Sequence, residues 1–332
     1  MNNSKIILLA AILFFFASGC KAQSQTNSLQ LIEAIPLQNV SGRIDHLSFD
    51  DKNNFVFIAA LGNNTVEAVN LKNKKVIHSI KDLHEPQGVA FIPENNSLVV
   101  ANGDNGECDV FNATDFQKTN SIQLGDDADN VRYDATGKKI YVGYGNGGIA
   151  IIDAATFKLI GEIKLPGHPE SFQINKQEKK MYVNVPDEKQ IAVIDLTQNK
   201  IIAQWKNITA NANFPMALDE ANHRLFIGCR HPSKLLVLDT ESGKIISSID
   251  IGGDTDDVFY NPSAKEIYVS CGSGYVDVIN QIDANHYTAN GTMKTNSGAR
   301  TSLFISQLHQ LIIAAPARNG SSAQLMIYRT NN

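Results

Sequence analysis

The chain has 332 residues, of which 43% are hydrophobic and 19% charged, with a net charge of −5. That is enough apolar material for a substantial core, and the acidic balance excludes the clustered Lys and Arg of a nucleic-acid footprint. Four cysteines without CxxC spacing exclude a zinc ribbon or a haem c attachment site.

Lys5 precedes an unbroken apolar run from Ile6 to Ala17, then Ser18, Gly19 and Cys20. The run is shorter than the ~20 residues of a membrane-crossing helix, and its order of basic, apolar and small segments predicts an export signal over residues 1–19. Ala17-Ser18-Gly19-Cys20 is similar to the lipobox of bacterial lipoproteins, which implies cleavage before Cys20 and lipidation of that residue. Lys21, where an Asp would imply the inner membrane, implies the outer membrane instead. Residues 20–28, polar and rich in Ser and Gln, read as the lipidated cysteine and a flexible tether. The expectation is a bacterial envelope protein that touches the membrane through its lipid alone.

From residue 29 onward the chain repeats. Segments of an aromatic or aliphatic pair closed by a small residue recur as Phe57-Ile58-Ala59, Val99-Val100-Ala101, Tyr141-Val142-Gly143, Tyr182-Val183-Asn184, Phe226-Ile227-Gly228, Tyr268-Val269-Ser270 and Ile312-Ile313-Ala314. Their spacing of 41 to 44 residues is the period of a four-stranded propeller blade. A further apolar strand follows in each repeat and usually closes on Asp or Asn, as at Ile152-Asp153 and Leu238-Asp239, where the side chain folds back on the backbone to make the turn. The repeated strands are apolar on both faces, as packing between two neighbours requires. Their small closing residues let the blades crowd together. The last repeat stops after Leu325 to Arg329, one strand short. The spare segment Leu29 to Ile35 supplies that strand, closing the ring and removing open sheet edges. The predicted fold is an all-β, seven-bladed β-propeller over residues 29–332, with four antiparallel strands per blade.

Ile140-Tyr141-Val142-Gly143 and Ile151-Ile152-Asp153-Ala154-Ala155-Thr156 resemble the YVTN-repeat β-propellers, including the YncE-like periplasmic members. The resemblance covers residues 29–332 and implies a propeller outside the cytoplasm, in a family of diverse functions. Fold does not fix function.

Residues opening the inner strands ring the central channel. Aligned by sequence, one register reads Asp45, Gly88, Asp129, Glu170, Phe214, Asp256 and Thr301, and the next His46, Val89, Asn130, Ser171, Pro215, Asp257 and Ser302. Just ahead lie Arg43, Gln87, Asp127, His168, Asn213, Asp254 and Arg300. Members of the family place a His-Pro pair near here, which His168-Pro169 keeps and blades one, three and six replace with acidic sequences. Converging carboxylates repel, raise one another's pKa or attract a cation. Asp45, Asp129, Glu170 and Asp256 are therefore the expected ligands of a divalent calcium, magnesium or zinc ion, and Arg43, His46, Gln87, Asn130, Asp257 and Arg300 the surrounding ligand-binding residues. The bland alternative is that the carboxylates pair with Arg43, Arg132 and Arg300 and serve the backbone of the turns.

Two functions follow from this mouth. One is a binding or scaffold protein, expected to be a monomer, that recognises a small polar molecule or a protein partner. The other is a metal-assisted, lactonase-like hydrolase or lyase, for which analogy nominates His46, His168, Glu170 and Arg300. Cys229 and Cys271 hold equivalent positions in adjacent blades, whose spacing of ~10 Å exceeds the reach of a disulfide. They are expected to be free thiols. Gly145-Asn146-Gly147-Gly148 precedes no helix and is a turn, not a phosphate loop.

Overall fold

The structure, a computed structural model, describes residues 28–206, 208–318 and 320–331. The export signal, Cys20 and the tether to residue 27 lie outside the described residues. Among the described residues, no helix is long and apolar enough to cross a membrane.

The strands assemble into seven four-stranded antiparallel sheets. In six of them the strands follow in chain order from the channel outward, as in Leu47–Asp50, Phe55–Ala60, Thr65–Asn70 and Lys75–Ile80 of blade one. Adjacent inner strands touch through the backbone: the His46 N–H donates to the Gln87 carbonyl and the Ser171 N–H to the Phe214 carbonyl, each at 3.3 Å. The second and third strands are buried on both faces, so that each core lies between two blades. One such core joins Val99, Ala101 and Val110 of blade two to Val131, Ile140 and Val142 of blade three. The small residues closing the second strands act as expected. A Cβ on Gly228 would stand 2.6 Å from the Cγ of Pro215, its own blade's inner-strand proline, and 3.0 Å from a methyl carbon of Thr255 in the next blade.

The seventh sheet contains Thr301–Ile305, Gln310–Ala315, Gln324–Arg329 and, outermost, Gln30–Pro36. The amino-terminal strand thus closes the ring, one residue later than its sequence suggests, pairing Ile35 with Leu325 and Gln30 with Arg329. Ser28, assigned to the tether, is already buried, its Oγ accepting from Asn290 Nδ2 at 2.7 Å. Closure does not remove every edge, because each blade keeps a short outer strand facing solvent. A shift of register interrupts the outermost pairing in all seven sheets, at Ala68/Val69, Val110/Phe111, Ile151/Ile152, Val193/Ile194, Val237/Leu238, Asp277/Ile279 and Leu31/Glu33. Such bulges twist an edge away from further pairing.

Candidate functional site

The strand pairings set which residues share a level of the channel. Leu47, Val89, Val131, Phe172, Met216, Val258 and Ser302 pair with the equivalent Ile58, Val100, Val142, Val183, Ile227, Val269 and Ile313. Counting back two residues, the mouth ring is Asp45, Gln87, Asp129, Glu170, Phe214, Asp256 and Arg300. The sequence alignment was displaced by one residue in blades two and seven: Gly88 and Thr301 belong one level deeper, beside His46, Asn130 and Asp257. The reason at Gly88 is steric. A Cβ there would lie 2.0 Å from the Asp129 carbonyl oxygen, so the residue serves the contact between inner strands.

Around Asp129 the structure brings three side chains together. Asp129, His168 and Glu170 each offer a ligand atom, and these atoms lie within 4.8 Å of one another. Glu170 stands in the inner-strand lead of blade four, its N–H held by the Asn184 carbonyl at 3.0 Å, and His168-Pro169 connects it to the bend at Pro166-Gly167. His168 Nδ1 lies 2.7 Å from the Gly145 carbonyl oxygen of blade three. With its proton donated to that carbonyl, Nδ1 is spent and Nε2 faces Asp129 Oδ2 at 3.9 Å. A carbonyl orienting one ring nitrogen while the other is presented is the usual support of a metal-ligating histidine.

The rest of the mouth divides into pairs. Arg43 Nη2 sits 2.7 Å from Asp45 Oδ2 and 3.9 Å from Asp256 Oδ2. Arg230 Nη2 donates to Asp256 Oδ1 at 2.6 Å, with its guanidinium 4.2 Å over the Phe214 ring. Arg300 turns aside to Asp254, at 2.9 Å, and Gln87 donates to Asp127 at 3.1 Å. His46 lies one level down, 3.7 to 3.9 Å from Asp45, Asp129 and Asp257. Asp257 Oδ2 accepts the Ser302 N–H at 2.7 Å. Three buried mouth oxygens, Asp45 Oδ2, Asn130 Oδ1 and Asp256 Oδ2, have no hydrogen-bond partner, although the first is ion-paired with Arg43.

Of the nominated residues, then, Asp45, His46, Asp129, Asn130 and Glu170 converge, and His168 joins the set as a metal-type donor. Arg43 and Asp256 line the same small cavity, whereas Gln87 and Arg300 are engaged with the outer acids. Arg230 was not nominated. Its signal was the longer second strand of blade five, Arg224–His231, which carries the residue two positions past Gly228 into the mouth. The expected pairing of Arg132 with a mouth carboxylate does not occur. Its guanidinium donates to the Val131 carbonyl at 3.0 Å and to Ser171 Oγ at 3.4 Å. Cys229 and Cys271 are free and buried, as expected, and Cys108 is free and buried as well.

The electrostatics follow from these neighbours. Burial pushes Asp45 up to about 8, against the pull of Arg43, with Asp129 and Asp256 adding repulsion. Burial also raises Glu170 well above the carboxylate range, reinforced by Asp129. Asp129 is buried too, yet His168, His46 and Arg43 hold it below its ordinary value. Burial works against the charged form of His168, but Asp129, the Gly145 carbonyl and Asp127 carry it up to about 9. The site thus sets Asp129, biased towards its carboxylate, beside His168, biased towards its imidazolium, with burial biasing Glu170 and Asp45 towards their protonated forms, and a cation would compete with those protons.

The donor set suits such an ion. One imidazole nitrogen and two carboxylates are ordinary zinc ligands, with bonds of about 2.0–2.2 Å. Atoms gathered within 4.8 Å reach tetrahedral spacing by side-chain movement of about an ångström.

No family model matches the chain. Among curated proteins it is similar to an uncharacterized protein YncE from Salmonella typhi, 31% identical over 169 residues that cover 49% of this chain and 46% of the other. It is likewise 30% identical to the YncE of Salmonella typhimurium, with the same coverage. These matches span about half the length of the relatives. Among solved structures, a chain of the mitotic checkpoint complex superposes with a TM-score of 0.77, covering 98% of this chain and 100% of that one at 14% identity. Kuenenia stuttgartiensis hydrazine synthase gives 0.73, with 95% and 99% covered at 13% identity. At such identities the likeness shows the fold alone.

Proposed function

We propose, from the premise that the chain is a YncE-like seven-bladed propeller, that it is a binding protein whose channel mouth takes a divalent cation through Asp129, His168 and Glu170. The observation that carries this reading is the gathered triad, with His168 Nδ1 held by the Gly145 carbonyl so that Nε2 points to the acids. Asp45 and Asp256 complete an acidic surround whose charge a cation offsets. The nitrogen donor favours zinc over calcium and magnesium, which prefer all-oxygen sites. An ion held at the rim of an open channel presents itself to a small polar molecule or a protein partner. In this reading the chain works as a monomer, exported through residues 1–19 and tethered to the envelope, at the outer membrane, by an acylated Cys20.

Calorimetric titration of metal-stripped protein with zinc chloride, calcium chloride and magnesium chloride tests the site. Zinc is expected to bind at one site per chain and Asp129→Asn with Glu170→Gln to abolish it. Equal, weak heats for all three salts in both proteins contradict the reading. The hydrolase or lyase alternative would draw on His46, His168 and Glu170 in the same place, but Arg300 is engaged with Asp254. A lactone panel run with the zinc-loaded protein and an Asp129→Ala, Glu170→Ala control decides between binder and enzyme.

A further inference from the structure

Below the acidic mouth the channel changes character. Two and three levels down from His46, the rings carry Ser48, Arg132, Gln173 and Phe259, then Phe49, Phe91 and Tyr133. These residues line a cavity of about 420 Å³, within the ~300–1,000 Å³ of small-molecule pockets. Its wall mixes polar and apolar surface, and Arg132 is the only charged residue of its ring.

Arg132 is the anomaly of this cavity. Among the described residues, every other arginine of the channel ends on a carboxylate: Arg43 on Asp45, Arg230 on Asp256 and Arg300 on Asp254. Arg132 has instead one backbone carbonyl, one long contact to a serine hydroxyl and the Phe172 ring 5.7 Å from its guanidinium carbon, with no carboxylate at ion-pair distance, which leaves most of its five N–H donors without a hydrogen-bond partner. Arg132 is partly buried, and its desolvation outweighs the pull of Asp257 and Asp129, which stand beyond ion-pair distance, so that it is held below the usual arginine value. The cavity's one acid, Asp257, is already taken by the Ser302 N–H and faces His46. Ser48 Oγ accepts the Phe91 N–H at 2.9 Å, so its own hydroxyl proton remains free to donate into the cavity.

We propose that this end of the channel binds a small monocarboxylic acid, its carboxylate on Arg132 and its flat apolar body against Phe49, Phe91 and Phe259. The ligand supplies the missing counter-charge, a planar guanidinium matches a carboxylate through paired N–H bonds, and the aromatic side chains accept the body. This site lies below the mouth, shares only His46 with it, and needs no metal there for Arg132 to hold a carboxylate.

Calorimetry with 3-phenylpropionate and its neutral amide, 3-phenylpropanamide, tests the assignment on the unmodified protein. The acid is expected to bind about tenfold or more tightly than the amide, as a charge-assisted hydrogen bond requires. Arg132→Gln is expected to erase that preference while Arg132→Lys keeps part of it. Equal affinity for acid and amide, no binding of either, or an undiminished preference in Arg132→Gln overturns the proposal. If Arg132→Gln does not fold, the acid-to-amide ratio of the unmodified protein still decides.

Discussion

Asp257 shows how one side chain makes stability depend on pH. Burial pushes its carboxyl up to about 7 from an unfolded value of 3.8, opposed by His46 and the Ser302 N–H. The folded state therefore holds this proton more tightly than the unfolded one, and the stabilisation is complete below the unfolded value and lost as pH rises through the folded value. Asp257→Asn keeps an acceptor for Ser302 and cannot ionise. Melting curves from pH 4 to 8 are expected to show the variant gaining on the parent protein as pH rises towards 7, then running parallel to it. A difference that does not move with pH would place the Asp257 proton elsewhere. His168 gives a second pH effect: its proton must leave before a metal binds Nε2, so zinc affinity is expected to fall as pH is lowered from 9 to 6. Titrations at three pH values check it, a flat affinity being the contrary result.

These residues were legible in the sequence to different degrees. The acids of the mouth stood out because repeats of near-constant length bring equivalent positions to one ring. Their register was harder, because the inner strands carry shifts at Pro86/Val89, Ala128/Val131, Asn213/Met216 and Thr255/Asp257, which span the ring positions Gln87, Asp129, Phe214 and Asp256 themselves. Only the pairings place Gln87 and Arg300 beside Asp45. Arg132 reads in sequence as one more cation near an acidic cluster, and its isolation is a property of the fold.

At the scale of the element, the strand Gln30–Pro36 decides whether the ring closes. Ile35 is almost wholly buried and packs with Leu325, Ile312 and Val56, so this outermost strand is tied to the core between blades seven and one. Ile35→Ala is expected to destabilise the protein by about 2–5 kcal/mol, the range for removing a buried isoleucine side chain. Deleting residues 29–35 should lower the melting temperature far more, whereas deleting residues 21–27 should leave it unchanged. Scanning calorimetry of the three proteins checks this, and a melt insensitive to the 29–35 deletion would contradict closure by this strand. The sequence identified this element because the last repeat lacked a strand and the first had one to spare. The bulges on all seven outer strands left no such trace, since they depend on how two strands slide past each other.

For the whole molecule, circular closure gives a channel whose two ends differ in chemistry: an acidic mouth with Arg and His among its carboxylates, and an aromatic chamber holding one guanidinium without an ion-pair partner. The repeats make this asymmetry possible, since each blade fixes the same backbone position and leaves its side chain free to vary. The tether belongs to this scale too: labelled palmitate is expected to enter the parent protein and not Cys20→Ala, and equal labelling would refute acylation there. The most direct test of the central claim is anomalous diffraction from crystals of the protein soaked in zinc chloride. A peak bounded by Asp129, His168 Nε2 and Glu170 is the expected result, and an anomalous map that is empty at the mouth would contradict the cation site.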